Sequence, residues 1–394
     1  MAGRLRGGLV AGLVVTVCGL LLPSAPMASP GGEPVIIGAV FDLSGPTSDL
    51  GTPYGHGVVD YVAGHNAQGD GSRPIDLRWA DFGYKVAEAE RRYQQFVSEG
   101  AVAFIGWGTA DTEALRPHAT RDQIPYMSGS YPEHLTYPAA SPYNFVDGTT
   151  YSDQMRVILQ WIARQEAGHH TEVAVLYHDS PFGMSPLQDG QDYIDEHQLD
   201  LGYHAYKMVN GAMDYAAELE QAKSQGAKYV IVHNVASRAA KVAQDVATGG
   251  FDFRLVCLNW CGDEIFVKLA GSAAETAAAA MPFAPPSTDP PGMHEMRTFL
   301  ADKGGNLDDE GVHYVQGWYT AAAMIAAIEQ AADAGEVTGA AIHEQLETSD
   351  GVSTGGVTTG PIRFRPESHK GLAGSRLFTV EGGRWVHLTD ALTP

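Results

Sequence analysis

Cysteine and positive charge are both scarce in this sequence, and each shortage removes classes of protein from consideration. Three cysteines stand in 394 residues. One of them, Cys18, lies in an apolar N-terminal stretch, which leaves Cys257 and Cys261. Two cysteines without a histidine pair beside them do not make a metal site. Lysine and arginine number 25 against 47 aspartates and glutamates, a formal net charge of −22. A surface of that sign repels phosphate backbones, so no nucleic-acid partner is expected. The acidic residues form no long run and read as a solvated surface. Past the N-terminal stretch, no segment has the length and apolarity of a membrane span. Chemical motifs are missing too. There is no GxGxxG after the first strand, no GxxxxGK[ST], no GxSxG elbow and no HExxH. His169-His170 sits among charged residues and reads as loop surface, and no carboxylate pair stands out for acid–base work. The chain is not expected to be an enzyme, and no cofactor or metal is expected.

What is present describes an exported, folded protein. Hydrophobic residues make up 44% and charged residues 18%, in the range of globular chains. The length gives room for two domains. Arg4 and Arg6, the apolar run 9–22 and the small-residue tail Pro23-Ser24-Ala25-Pro26-Met27-Ala28 have the order of a secretory signal peptide. Residues 1–28 are therefore expected to be a leader, placing the mature protein in the periplasm or outside the cell. A lipid anchor at Cys18 is not expected, because Val17 precedes it and Leu20-Leu21-Leu22 continue the apolar run. In an oxidising compartment Cys257 and Cys261 are read as a local disulfide in preference to free thiols, provided the backbone brings their α-carbons into range.

The hydrophobic pattern alternates between strand and helix. Strands are predicted at 35–40, 75–80, 102–105 and 125–127. The spacing predicts helices at 85–98 and 112–121 between them, and one after the first strand with Tyr54, Val58, Tyr61 and Val62 on one face. The rhythm then restarts, with helices at 152–166, 185–197, 214–225, 237–248 and 263–270 and strands at 173–177, 201–209, 229–233 and 254–258. A proline-rich connection at 282–291 leads to helices at 290–303 and 312–333. The tail 362–364, 376–380 and 385–388 reads as short strands, with a hairpin turn at Glu381-Gly382-Gly383-Arg384. Such alternation implies α/β architecture with two doubly wound parallel-sheet lobes. In a fold of that kind, ligands collect at the carboxyl ends of strands. The turn Gly106-Trp107-Gly108-Thr109-Ala110-Asp111-Thr112 ends a strand and opens a helix, so it is the leading site candidate.

Several segments together resemble the periplasmic binding proteins of the branched-chain amino acid type, the substrate receptors of ABC importers. The similarity is carried by Ile36-Ile37-Gly38 with Asp42-Leu43-Ser44-Gly45-Pro46, by Asp81, by Phe104-Ile105-Gly106, and by Ile124-Pro125-Tyr126-Met127-Ser128 with Leu135-Thr136. It continues through Phe145, Gln154, Tyr177-His178-Asp179, Phe182-Gly183 and Thr359-Gly360-Pro361-Ile362-Arg363-Phe364. The resemblance implies a type I two-lobed fold with a three-segment hinge. The N-terminal lobe would hold 34–148 and 283–354, and the C-terminal lobe 149–282 and 355–394. It also implies a ligand held between the lobes, hinge closure, delivery to a membrane permease, and a monomer.

By position, the resemblance implies first-lobe contacts from Trp107, Thr109, Ala110, Asp111, Thr112, Ser130 and Tyr131. The second lobe would contribute Tyr151, Phe182, His233, Asn234, Asn259, Trp260 and Asp263. A cationic amine would need Asp111 or Asp263 as its partner. Either residue could equally be a helix cap. Departures from the family pattern argue against an aliphatic amino acid. Phe182 stands where relatives carry tyrosine, the usual serine-rich turn is Thr109-Ala110-Asp111-Thr112, and the loop starting at Ser128 is one residue shorter. The aromatics near the cleft suggest a stacking wall for an aromatic, amide-bearing or cationic solute. A sensory receptor of the same fold and, from another class, a secreted two-lobed enzyme are the alternative readings.

Overall fold

A computed structural model describes residues 1–3, 32–68 and 73–394. Apart from its first three residues, the expected leader 1–28 lies outside the described residues, as does Cys18. Two sheets organise the chain. The first contains β1 (Val35–Phe41), β2 (Ile75–Asp81), β3 (Ala103–Ile105), β4 (Tyr126–Ser128) and β5 (Asn144–Val146). Their order is β2-β1-β3-β4-β5, parallel throughout. The helices α1 (Ser48–Ala67), α2 (Val86–Ser98) and α3 (Thr109–Asp122) connect them. Strand β1 is apolar at nearly every position because helices cover both faces of a parallel sheet.

The second sheet follows α4 (Tyr151–Gln165). It comprises β6 (Thr171–His178), β7 (Leu201–Met208), β8 (Ala227–His233), β9 (Arg254–Cys257) and β10 (Ala278–Met281), with α5 (Pro181–Met184), α6 (Leu187–His197), α7 (Ala216–Ser224), α8 (Ala236–Gly249) and α9 (Glu264–Ala270) between them. Helices α10 (His294–Asp302), α11 (Leu307–Glu310), α12 (Val312–Asp333) and α13 (Gly339–Thr348) come next. The hairpin β11 (Arg376–Glu381) and β12 (Arg384–His387) ends the chain. The sheet order is β12-β11-β10-β9-β8-β6-β7. It is parallel from β7 to β10 and antiparallel over the last two pairings. At the hairpin turn Gly382 and Gly383 have φ of 59° and 73°, the two positive values a type I′ turn requires.

Helix α12 returns to the first sheet. It lies along α1 and also meets α13 and β3, so it is buried on almost every side. Its approach to α1 depends on a pair of glycines. A Cβ on Gly57 would lie 2.1 Å from Tyr314 O, and one on Gly317 would lie 2.0 Å from Tyr54 O. The two backbones therefore touch where a side chain would otherwise hold them apart.

Several features differ from the sequence reading, including helix α13, which it does not give. Strands β5 and β10 were not anticipated. Both are short, and Ala278-Ala279-Ala280-Met281 carries no β-branched residue. Pairing to β9 and β11 imposes the strand there against weak propensity. Residues 362–364 form only an isolated bridge, Val352 to Ile362, and no strand. The stretch around His369–Lys370 runs beside β5, with Val146 N–H donating to His369 O at 3.0 Å and Gly371 N–H to Val146 O at 2.7 Å. The tail therefore touches the first sheet before it joins the second.

Candidate functional site

The turn after β3 and the loop after β9 face each other, and each presents a tryptophan. The rings of Trp107 and Trp260 meet at 4.9 Å between centroids, tilted by 63°. Each is held by its indole N–H. Trp107 Nε1 donates to Thr47 Oγ1 at 2.9 Å, and Thr47 in turn donates to Asp42 Oδ2 at 2.6 Å. Trp260 Nε1 donates to Tyr151 OH at 2.5 Å. The Trp260 loop is closed at its base by a Cys257–Cys261 disulfide, with α-carbons 5.3 Å apart. A loop that short reduces unfolded-chain entropy by only about 2 kcal/mol, so its larger effect is to fix where Trp260 points.

Beside this ring contact lies a narrow cavity of about 20 Å³. Trp107, Gly108, Thr109, Ser130, Thr47, Leu50 and Tyr84 line it from the first-sheet side. Tyr151, Phe182, Val235 and Trp260 line it from the other. None of these side chains carries a charge. The polar wall is a chain of hydroxyls, with Thr109 Oγ1 2.5 Å from Ser130 Oγ and Ser130 Oγ 3.2 Å from Tyr151 OH. Burial pushes the Tyr151 phenol up to about 12, so it stays protonated at neutral pH. Helix α3 begins at the same wall. The N–H groups of its first turn lack intrahelical acceptors and carry the positive end of the helix dipole.

Of the residues expected from the sequence, Trp107, Thr109, Ser130, Tyr151, Phe182 and Trp260 meet in this pocket. The others lie behind it. Ala110, Asp111 and Thr112 form the first turn of α3, and Thr112 Oγ1 donates to Gly108 O at 2.6 Å. Tyr131 donates to Asp147 Oδ1 at 2.8 Å and supports Trp260 from 6.3 Å. His233 packs 4.3 Å from the Phe182 ring and donates from Nε2 to Phe182 O at 3.0 Å. Burial pushes its pKa down to about 3. Asn234 Oδ1 accepts the Val235 N–H at 2.8 Å. The Asn259 side chain faces a separate small cavity beside His313 and Gln316. Asp263 caps α9, accepting the Ile265 N–H at 2.6 Å. Neither Asp111 nor Asp263 lines the pocket, so neither is placed to hold a cationic amine there.

Sequence reasoning missed Thr47, Leu50, Tyr84 and Val235. Thr47 immediately follows the Ser44-Gly45-Pro46 segment and was within reach of that pattern. Tyr84 reaches the pocket from a left-handed backbone conformation, φ 57°, which no periodicity announces. Two carboxylates also bridge the halves of the molecule. Asp49 Oδ2 accepts the Ser237 N–H at the start of α8 at 3.3 Å, and Glu264 Oε2 accepts the Val312 N–H at the start of α12 at 2.8 Å. Each is a cap supplied from the other side of the cleft.

Asp111 has a different task. Its Oδ2 accepts the Gly108 N–H at 3.0 Å, and the residue is 1% exposed. Burial raises its pKa from 3.8 to about 7. The folded state therefore keeps this proton where the unfolded chain has lost it. The associated stability is full below the unfolded pKa and is lost as pH rises towards about 7. Asp111→Asn retains an acceptor for Gly108 without the charge. The variant is expected to melt close to the parent at about pH 4.5 and several degrees above it at about pH 8. A gap that does not widen between the two would show that Asp111 is not held protonated.

The sequence pattern of the family described as "Periplasmic binding protein" matches residues 34–384. Solved structures share the whole architecture. A branched-chain amino acid ABC transporter protein from Thermus thermophilus, solved with bound valine, is 27% identical. The alignment covers 92% of this chain and 97% of that one, with a TM-score of 0.87. An ABC transporter substrate-binding protein from Aeropyrum pernix is 26% identical over 92% and 97% of the two chains, with a TM-score of 0.83. A fatty acid ABC transporter substrate-binding protein from Thermomonospora curvata shares the fold at 18% identity, over 93% and 95%, with a TM-score of 0.79. No curated protein sequence matches the chain.

Proposed function

The chain belongs to the periplasmic binding protein family, and on that premise we propose that it is the solute receptor of an ABC importer, acting outside the cytoplasmic membrane. It captures one small solute in the pocket lined by Trp107 and Trp260 by hinge closure and presents the closed form to a membrane permease. The proposed lobes are 34–148 with 283–354 and 149–282 with 355–394, the stretch around His369–Lys370 lying beside β5 of the first.

The pocket's uncharged, aromatic lining carries this reading. An ammonium group would find no carboxylate there, so a polyamine is disfavoured. The best occupant is a small aromatic or amide-bearing solute. Its flat body would lie against Trp107, Trp260 and Phe182. Its acceptor oxygen would point to the Thr109–Ser130–Tyr151 hydroxyls and the α3 N-terminus. An amino acid such as the valine bound in the Thermus thermophilus structure would have to satisfy its ammonium group with hydroxyl and carbonyl oxygens here, which ranks it below aromatic and amide solutes.

A thermal-shift screen of amino acids, amides, aromatic acids and polyamines tests the proposal. A true ligand at about one hundred times its Kd stabilises by roughly 2.7 kcal/mol. Aromatic or amide solutes are expected to raise Tm and polyamines to leave it unchanged. Stabilisation by polyamines alone would contradict the assignment of the pocket, and no shift with any solute would contradict the receptor reading.

A further inference from the structure

Outside the solute pocket, α13 and the tail bring three metal-ligating side chains together. Atoms of His343, Glu347 and His369 lie within 4.8 Å of one another. His343 and Glu347 are four residues apart on α13 and share one face. His369 comes from the stretch that runs beside β5. Its ring is buried and stacks on Phe145 at 4.1 Å.

His369 is pulled in two directions. Its Nδ1 lies 2.9 Å from Asn144 O, and its Nε2 lies 2.9 Å from Glu347 Oε1. Both partners are acceptors, so both ring nitrogens need a positive hydrogen or its equivalent. A neutral imidazole carries a single N–H and donates to only one of these partners. A cation between Nε2 and Glu347 removes that conflict, with the Nδ1–H still donating to Asn144 O. A backbone carbonyl on the second nitrogen is the usual support of a metal-bound histidine.

The second imidazole is at hand. His343 Nε2 lies 3.7 Å from Glu347 Oε1. It also lies 2.8 Å from Pro142 O, a contact it would exchange for the metal. Ligands about 2.1 Å from a tetrahedral ion sit about 3.4 Å apart, and the two observed spacings to Glu347 bracket that value.

We propose that His343, Glu347 and His369 bind one divalent transition metal of the zinc class. Two imidazoles and a carboxylate suit such an ion better than calcium or magnesium, which prefer oxygen ligands. The ion ties α13 to the tail where the chain passes from the first sheet to the second. None of the three residues lines the solute pocket, so the role is structural and independent of the receptor reading.

The test uses the full chain purified without a histidine tag, stripped with chelator, and titrated with Zn²⁺ by calorimetry while Tm is followed. One equivalent is expected to bind and raise Tm. Glu347→Gln and His343→Ala, each at a partly exposed position, are expected to weaken binding at least about tenfold. His204→Ala is the control. It alters a different imidazole–carboxylate cluster, where His170 and His204 flank Glu172 at 3.0 and 2.8 Å. That variant is expected to bind like the parent. Absence of binding, binding unchanged in Glu347→Gln, or binding lost in His204→Ala would each overturn the proposal.

Discussion

Replacing Trp260 with alanine is expected to weaken solute binding by about 2–4 kcal/mol, or about 30- to 1,000-fold in Kd. Among the described residues, Trp260 is the one from the second half whose ring touches Trp107. It also stacks on His313 at 4.4 Å and donates to Tyr151. Truncation removes one wall of the pocket and frees the Tyr151 hydroxyl from a fixed orientation. Trp260→Phe separates the two effects, because it restores an aromatic wall without the N–H. Its loss is expected to be intermediate, about tenfold. Calorimetry with the best solute of the thermal-shift screen provides the measurement, with circular dichroism to establish that each variant is folded. That control is needed because removing a buried tryptophan costs about 3–5 kcal/mol of stability. A folded Trp260→Ala protein that binds as tightly as its parent would place the ligand elsewhere.

The largest loss of stability is expected at a glycine. Gly317→Ala adds one methyl group, but its carbon would sit 2.0 Å from Tyr54 O and 2.9 Å from Tyr54 C. These are backbone atoms of α1 and cannot rotate away. The helices must separate, and the packing of Val58, Val315 and their neighbours loosens with them. A cost of about 3 kcal/mol or more follows, at the upper end for overpacking by a single methyl group. Gly57→Ala is expected to behave alike, since its Cβ meets Tyr314 O. Gly360→Ala is the matched control, with nothing within 4 Å of the added carbon; its Tm is expected to stay within about 1 °C of the parent. Urea unfolding of the three variants provides the comparison. Equal midpoints for Gly317→Ala and Gly360→Ala would mean that α1 and α12 are not in backbone contact.

Much of this architecture is legible in the sequence, for a physical reason. Strands such as β1, β6 and β8 are buried on both faces and announce themselves as apolar runs. Helix α2 shows its buried stripe at Ala89, Tyr93 and Phe96. Strand β10 does not, because alanines become a strand only when β9 and β11 pair with them. The site was readable in part for a similar reason. Trp107 and Thr109 follow a strand at its carboxyl end, where position alone suggests a ligand. Asp111 and Asp263 were ambiguous because a carboxylate at a helix start serves equally as cap or contact. Only the direction of the side chain decides, and both turn to backbone N–H groups. Leu50 and Val235 were invisible as site residues because an apolar residue at a helix start reads as core. His343, Glu347 and His369 could not be joined from sequence, since the tail's return past β5 brings His369 to the α13 face.

Hinge closure can be measured directly by small-angle X-ray scattering of the protein, free and saturated with its best solute. The radius of gyration is expected to fall on binding. A solute that saturates the protein and leaves the radius of gyration unchanged would contradict capture between closing lobes.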